Sequence, residues 1–246
     1  STDGDCGRRT AVWRDAELDI LSATALLQLG DLNKAETFAR NAQRSHRSVF
    51  GRKALQILGQ IKLRQGRFQD ALSFVLMAKS EQRRRCVPFT APERAEVNRD
   101  IALSLAALNQ FDHAFTVMEE LKSNLETEPE IWNNLFAASV ERGIILRETG
   151  RLEDAKSVFT QAVIKLEKQL GANHYDTAEA RMWLALTEGQ GSLDTITKSL
   201  RQLLALWQQR GGQLISDQAG QPVRLQWIVE DYLSQVFSEA RDQKAL

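Results

Sequence analysis

The 246-residue sequence has little that would cross-link, stiffen or anchor a chain. It holds only 4 prolines and 14 glycines, which argues against long disordered linkers. Its two cysteines, Cys6 and Cys86, stand far apart. They form no disulfide framework, and both are read as free thiols. With His46, His113 and His174 they show no metal-ligand spacing, so neither a metal nor a cofactor is expected. No apolar run approaches the roughly 18 residues of a membrane span, and no secretory leader pattern is visible. The expectation is a soluble chain without a membrane partner, placed in the cytoplasm. The first residue is Ser, which fits a processed chain or a piece of a longer one.

Motifs of catalysis are also missing. There is no Gly-rich phosphate loop ending in Lys-Ser or Lys-Thr, and no nucleophile elbow, zinc-protease helix or kinase signature. Gly189-Gln190-Gly191 falls in a turn. The carboxylates Glu119, Glu120, Glu126, Glu128 and Glu130 read as solvated helix ends. The sequence therefore predicts a protein that is not an enzyme.

What remains is a chain of ordinary globular composition, 43% hydrophobic and 26% charged. Formal charge is zero overall but unevenly spread. Residues 1–86 carry 16 Lys/Arg against 9 Asp/Glu, and the remainder carries 16 against 23. Such a gradient is either the random sign of solvated helix faces or a field that orients a charged partner.

The most informative stretch is Glu141–Ala162, ERGIILRETGRLEDAKSVFTQA. Apolar residues recur at helical spacing up to Thr149, a turn follows at Gly150-Arg151, and the spacing resumes through Leu152, Ala155, Phe159 and Ala162. Gly143 and Ala155 let two helices approach closely, with Phe159 filling the layer beyond. The same pattern recurs around Gly30-Asp31 (with Leu32, Ala35, Ala39, Ala42) and Gly66-Arg67 (after Leu58-Gly59, before Phe68, Ala71, Val75, Ala78). It recurs again around Asn109-Gln110 (before Phe111, Ala114, Met118, Leu121) and, about one residue off register and without the small residue, near Gly191-Ser192 (before Leu193, Ile196, Leu200, Leu203). Asn109 can take the left-handed conformation that glycine takes elsewhere. The turns at 30, 66, 109, 150 and 191 are spaced by 36, 43, 41 and 41 residues.

This small–Gly–aromatic–Ala pattern resembles the tetratricopeptide repeat, TPR, whose ordinary period is about 34 residues. The longer spacings, and Leu170, Gly171, His174 and Ala178, resemble the variety found in kinesin light chains and many bacterial signalling proteins. Tyr175 stands where proline is common in that variety. A departure also occurs at Lys62, where an aromatic is usual and a lysine stem can cover the surface instead. His174 is read as a structural, capping residue of the loop.

The resemblance implies an all-α, right-handed superhelical solenoid over residues 1–246. It would hold five helix pairs at about 16–45, 51–81, 95–123, 129–170 and 175–208. Residues 1–10 are read as frayed, with helical spacing from Val12. Residues 82–94 form a long connection broken by Pro88 and Pro92. The Gly-rich segment 210–222 leads to a capping helix, 222–242, with Leu225, Ile228, Tyr232, Leu233, Val236 and Phe237 inward.

The function implied is a non-enzymatic protein-interaction module that binds a peptide or a partner helix in a concave groove lined by the first helix of each pair. The alternative is the sensor or regulatory part of a larger signalling or transcription-regulating protein. Lys53, Gln56, Gln60 and Arg64 share one polar stripe of a first helix, opposite Leu55, Leu58 and Gly59. Arg99, Thr24 and Gln28 fall on the corresponding faces of the neighbouring first helices. Amides and cations so placed suit an extended acidic peptide. Nucleic acid is disfavoured. The basic stretch 31–85 holds 13 Lys/Arg against 4 Asp/Glu, but Phe38, Phe50, Phe68 and Phe74 fall on core spacing rather than forming stacking platforms.

Overall fold

The computed structural model describes residues 3–44, 49–188, 193–209 and 221–245, with side chains at 15–44, 50–188, 193–209, 224–238 and 241. Helices make up its regular structure: α1 (Asp3–Gln28), α2 (Leu32–Gln43), α3 (Val49–Arg64), α4 (Phe68–Arg84), α5 (Pro92–Ala107), α6 (Phe111–Asn124), α7 (Pro129–Trp132), α8 (Val140–Glu148), α9 (Leu152–Leu170), α10 (Tyr175–Glu188), α11 (Leu193–Gln209) and α12 (Gln221–Ala245). No strand occurs among the described residues. Among them, too, no helix is long and apolar enough to cross a membrane. The chain divides into two compact units. One is built on Ser1–Thr127, the other on Glu128–Gln213 and Pro222–Leu246.

The repeat turns share one mechanism. Gly30, Gly66, Asn109 and Gly150 all have positive φ, between 57° and 81°. In each case the next N–H reaches back five residues: Asp31 to the Leu26 carbonyl, Arg67 to Lys62, Gln110 to Leu105 and Arg151 to Leu146. This Schellman closure satisfies the last carbonyls of the first helix and turns the chain straight into the second. Asn109 thus takes the glycine position, as its side chain allows. Cys86 ends α4 in the same way, with φ 52° and the Val87 N–H bonded to the Gln82 carbonyl. The fifth expected turn, Gly191-Ser192, lies outside the described residues.

In the N-terminal unit the pairs α1/α2, α3/α4 and α5/α6 stack on small residues. Ala35, Ala39 and Ala42 of α2 are fully buried against Ile20, Ala23 and Leu27 of α1 and against Ile57, Leu58 and Ile61 of α3. Leu55, Val75, Ala78, Val97 and Ile101 continue the core. Phe38, Phe50 and Phe74 pack against it. Two boundaries differ from expectation: α1 begins at Asp3 rather than near Val12, and α5 begins at Pro92, whose missing N–H costs nothing at the first helical position.

The C-terminal unit holds the pairs α8/α9 and α10/α11. The helix expected from Pro129 is interrupted: α7 ends at Trp132, Asn133–Ala137 form a wide π turn, and Ser139 caps a new start by accepting from the Arg142 N–H at 3.2 Å. His174 accepts the Asp176 N–H on Nδ1 at 3.3 Å, and its carbonyl accepts the Ala178 N–H at 3.0 Å. It therefore helps begin α10. Phe159 of α9 stacks on Trp183 of α10 with ring centres 6.1 Å apart. On α12 the expected inward set is corrected at two positions: Leu233 and Phe237 are 44% and 65% exposed. The most deeply covered side chains of α12 are Ile228 and Arg224.

Candidate functional site

On the N-terminal unit, α3 turns its polar stripe toward α5. The side chains at 53, 56 and 60 are one or two turns apart and meet Glu96 and Asp100, which are themselves one turn apart. The Lys53 ammonium donates to Glu96 Oε2 at 2.9 Å and to Gln56 Oε1 at 3.0 Å. Gln56 and Gln60 each donate an amide N–H to Asp100 Oδ2, at 2.9 and 2.8 Å. The Arg99 guanidinium lies 3.6 Å from the other Asp100 oxygen. Four of the seven predicted site residues, Lys53, Gln56, Gln60 and Arg99, are thus gathered around two carboxylates.

The electrostatics follow from the depth of each group. Asp100 is only 2% exposed, and burial pushes its carboxyl above the usual range against the pull of Arg99 and the two amides. Glu96 is shallower. Burial pushes it up as well, but the hydrogen bond and charge of Lys53, with Arg99 and Gln56 beside it, win and hold it below its ordinary value.

The other three predicted residues sit elsewhere. Arg64 is buried, and its Nη1 donates to the Leu27 carbonyl in the last turn of α1. A cation there also complements the helix C-terminus. The Thr24 hydroxyl donates to the Ile20 carbonyl of its own helix at 2.8 Å. Gln28 is exposed at the end of α1. Lys62, the departure from the repeat pattern, does more than cover a surface. Its ammonium is buried and ion-paired with Glu36 of α2 at 2.6 Å.

Lys53, Gln56 and Glu96 open onto a cleft of about 620 Å³ between α1, α3 and the start of α5. Ile20, Phe50, Ala91 and Pro92 supply its apolar wall, and Arg52 and Glu93 complete a rim of both signs. Arg52 lies 4.0 Å from Glu93. Apolar walls with a few convergent polar groups suit capture of a side chain from a peptide. Among the described residues that line the cleft, none pairs a nucleophile with a base. Sequence reasoning missed Glu93, Glu96 and Asp100. Their signal was the i, i+3, i+7 spacing of acids on a helix paired with a basic stripe.

No protein-family model matches the chain, and no curated protein sequence matches it. Solved structures do. A kinesin light chain-like protein with nearly identical TPR-like repeats, from Podosopora anserina, superposes with a TM-score of 0.52 at 16% identity, over 80% of this chain and 97% of that one. A point variant of the same protein gives 0.53 at 15% identity, over the same shares of the two chains. BtubC (BKLC) from P. vanneervenii gives 0.50 at 17% identity, over 96% of this chain and 87% of that one. The fold is that of an all-α helical-repeat solenoid. Its repeats are TPR-like, of the kind seen in kinesin light chain-like structures.

Proposed function

We propose that the N-terminal unit binds an extended peptide or a partner helix along α1, α3 and α5, with a ligand side chain seated in the cleft beside Lys53. The observation that carries this reading is the cleft itself. It lies where the first helices of three successive pairs come together, and its wall is apolar while its rim is polar. Lys53 and Arg52 favour acidic residues in the ligand. Their present partners, Glu96 and Glu93, are internal carboxylates that an incoming acid would displace or share, so affinity depends on exchanging ion pairs rather than on meeting bare cations. Gln56 and Gln60 hold Asp100 and so fix the floor. Gln28 and Thr24 lie further along α1, where a longer ligand would continue. The role is one of binding, without catalysis.

A peptide library selected against the full chain tests this. Selected peptides should be enriched in Asp and Glu next to an apolar residue. Lys53→Glu should weaken them by more than roughly tenfold at low salt, with the effect shrinking as salt is raised. The exchanged pair Lys53→Glu with Glu96→Lys keeps the internal bridge and should preserve the melting temperature. Equal affinity of parent and Lys53→Glu for every selected peptide would exclude this face.

A further inference from the structure

In the C-terminal unit, α12 lies against α8 and α10, the first helices of their pairs, and the contacts are specific. The Arg224 guanidinium is 2% exposed. It reaches Glu179 of α10 with two nitrogens, at 2.6 and 3.1 Å, and Glu141 of α8 with the third, at 2.7 Å. Burial alone would lower its pKa, but the two carboxylates win and hold it charged. Two turns further on, Asp231 pairs with Arg147 of α8 at 2.6 Å. Arg147 is also held by Glu148 at 2.5 Å and lies over the Trp183 ring. Between the two ion pairs, Ile228 is fully buried. Tyr232 shares a hydrogen bond of 3.0 Å with Thr197, and the Gln235 amide donates to the Leu186 carbonyl.

The two sets of charges match in register. Glu141 and Arg147 are six residues apart on α8, about 9 Å along the axis, and Arg224 and Asp231 are seven apart on α12, about 10.5 Å. Opposite signs meet at both ends. The match fixes a parallel direction and a single register, as charged pairs do at specific interfaces.

The hold on α12 is nevertheless light in apolar terms. Ile228 is its one fully buried apolar side chain among the described residues, and Leu225, Trp227, Val229, Tyr232 and Val236 are half-buried. Leu233 and Phe237 face solvent. A helix secured by one fully buried apolar side chain, a half-buried fringe and buried ion pairs gains specificity more than stability, and segments with less buried apolar surface than their neighbours open first.

We propose that the α8/α10 face is a helix-binding site, with α12 as its resident and exchangeable occupant. The partner it fits is an amphipathic helix of another protein presenting Arg, a branched apolar residue and Asp at i, i+4 and i+7. The arginine enters the Glu141/Glu179 pair, the apolar residue takes the Ile228 seat, and the acid meets Arg147. This does not rest on the N-terminal cleft, and the two are tested by different residues.

A fluorescent peptide of residues 221–245 serves as the probe, with the full chain as receptor. Arg224→Glu in the chain places three carboxylates together and should release α12. The probe should then bind this variant at least tenfold more tightly than it binds the parent, where α12 competes. The same probe carrying Arg224→Glu should bind neither. Hydrogen exchange on the parent is the second measurement: α12 amides should exchange at least tenfold faster than those of α10. Equal protection of α12 and α10 would overturn the proposal and make α12 a fixed cap, and it decides the matter alone if the variant does not fold. A folded Arg224→Glu chain that binds the probe no better than the parent would also overturn it. A parent dimer in light scattering, held by exchanged α12 helices, would overturn the assignment to a separate partner.

Discussion

A Cβ atom added to Gly143 would stand 2.3 Å from Cε1 of Phe159, with two further ring carbons within 2.7 Å. The α8/α9 pair therefore packs ring against backbone, and the ring is fully buried. Gly143→Ala should force the ring or the helix to shift and cost about 1–3 kcal/mol. Gly59 repeats the relationship in the N-terminal unit, where a Cβ would meet Val75 Cγ1 at 2.5 Å. Because a valine methyl is smaller than a ring, Gly59→Ala should cost less than Gly143→Ala. Thermal melts of the two variants check the order, and a parent-like melting temperature for Gly143→Ala would contradict this packing.

The turns make a different demand. Gly150 has φ 78° and nothing within 4 Å of an added Cβ, so only conformational strain opposes a side chain there. Gly150→Val should cost about 1–3 kcal/mol, because a β-branched residue is poorly tolerated in the left-handed region. Gly150→Asn should cost markedly less, since Asn109 already occupies the equivalent position at φ 57°. Equal melting temperatures for the Val and Asn variants would show that the turn relaxes to another conformation.

These two features differ in how far they could be read in advance. Turn glycines act through their own φ, so Gly30, Gly66 and Gly150 are legible in the sequence, as is Asn109. Cys86 adopts the same left-handed turn, but cysteine carries no such signal. The small residues Gly59, Gly143 and Ala155 announce close helix approach through periodicity alone. Polar partners do not. The stripe Lys53, Gln56 and Gln60 is periodic, yet its carboxylates Glu96 and Asp100 are some 40 residues away and are selected by how α5 packs on α3. Likewise the apolar spacing of α12 suggested Leu233 and Phe237 as inward. Glu141, Glu179 and Arg147, on other helices, instead aim the helix so that Arg224 and Asp231 face inward with Ile228.

Glu36 joins α2 to α3 through one buried cation. Burial raises its carboxyl, but hydrogen bonds from Lys62, Arg40 and Gln65 outweigh this and bring it from its ordinary 4.5 down to about 2. A carboxylate with a depressed folded pKa contributes stability that is full above the unfolded value and is lost as pH falls through the folded one. Its share should therefore be constant above about pH 5 and fade between about 4.5 and 2. Glu36→Gln should lower the neutral-pH melting temperature, because it leaves the buried Lys62 ammonium with the Gln65 amide oxygen but without its counter-charge, and should flatten the acid side of the stability profile over that window. Denaturant melts across the acid range up to neutral pH check this. A variant with the parent's acid slope would show that other carboxylates set it.

Arg64 and Lys53 share a stripe of α3 but hold different places, and substitution separates them. Lys53 is 40% exposed at its side chain and bridges to a part-exposed Glu96, so its ion pair should contribute no more than about 1 kcal/mol. Arg64 is buried with its guanidinium on the Leu27 carbonyl, and a hydrogen bond from a charged donor contributes about 1.5–3 kcal/mol. Arg64→Glu would go further, since it sets a buried carboxylate against the Leu27 carbonyl, itself an acceptor. It should therefore lower the melting temperature sharply and weaken the α1–α3 packing. Lys53→Glu loses that bridge and faces Glu96 with a like charge, so it should lower the melt, but far less than Arg64→Glu, and act mainly on ligand affinity. Measuring both quantities for both variants gives the check. If Arg64→Glu kept the parent's melting temperature while weakening ligand binding, Arg64 would be a groove cation facing the ligand rather than a tie between α3 and the end of α1.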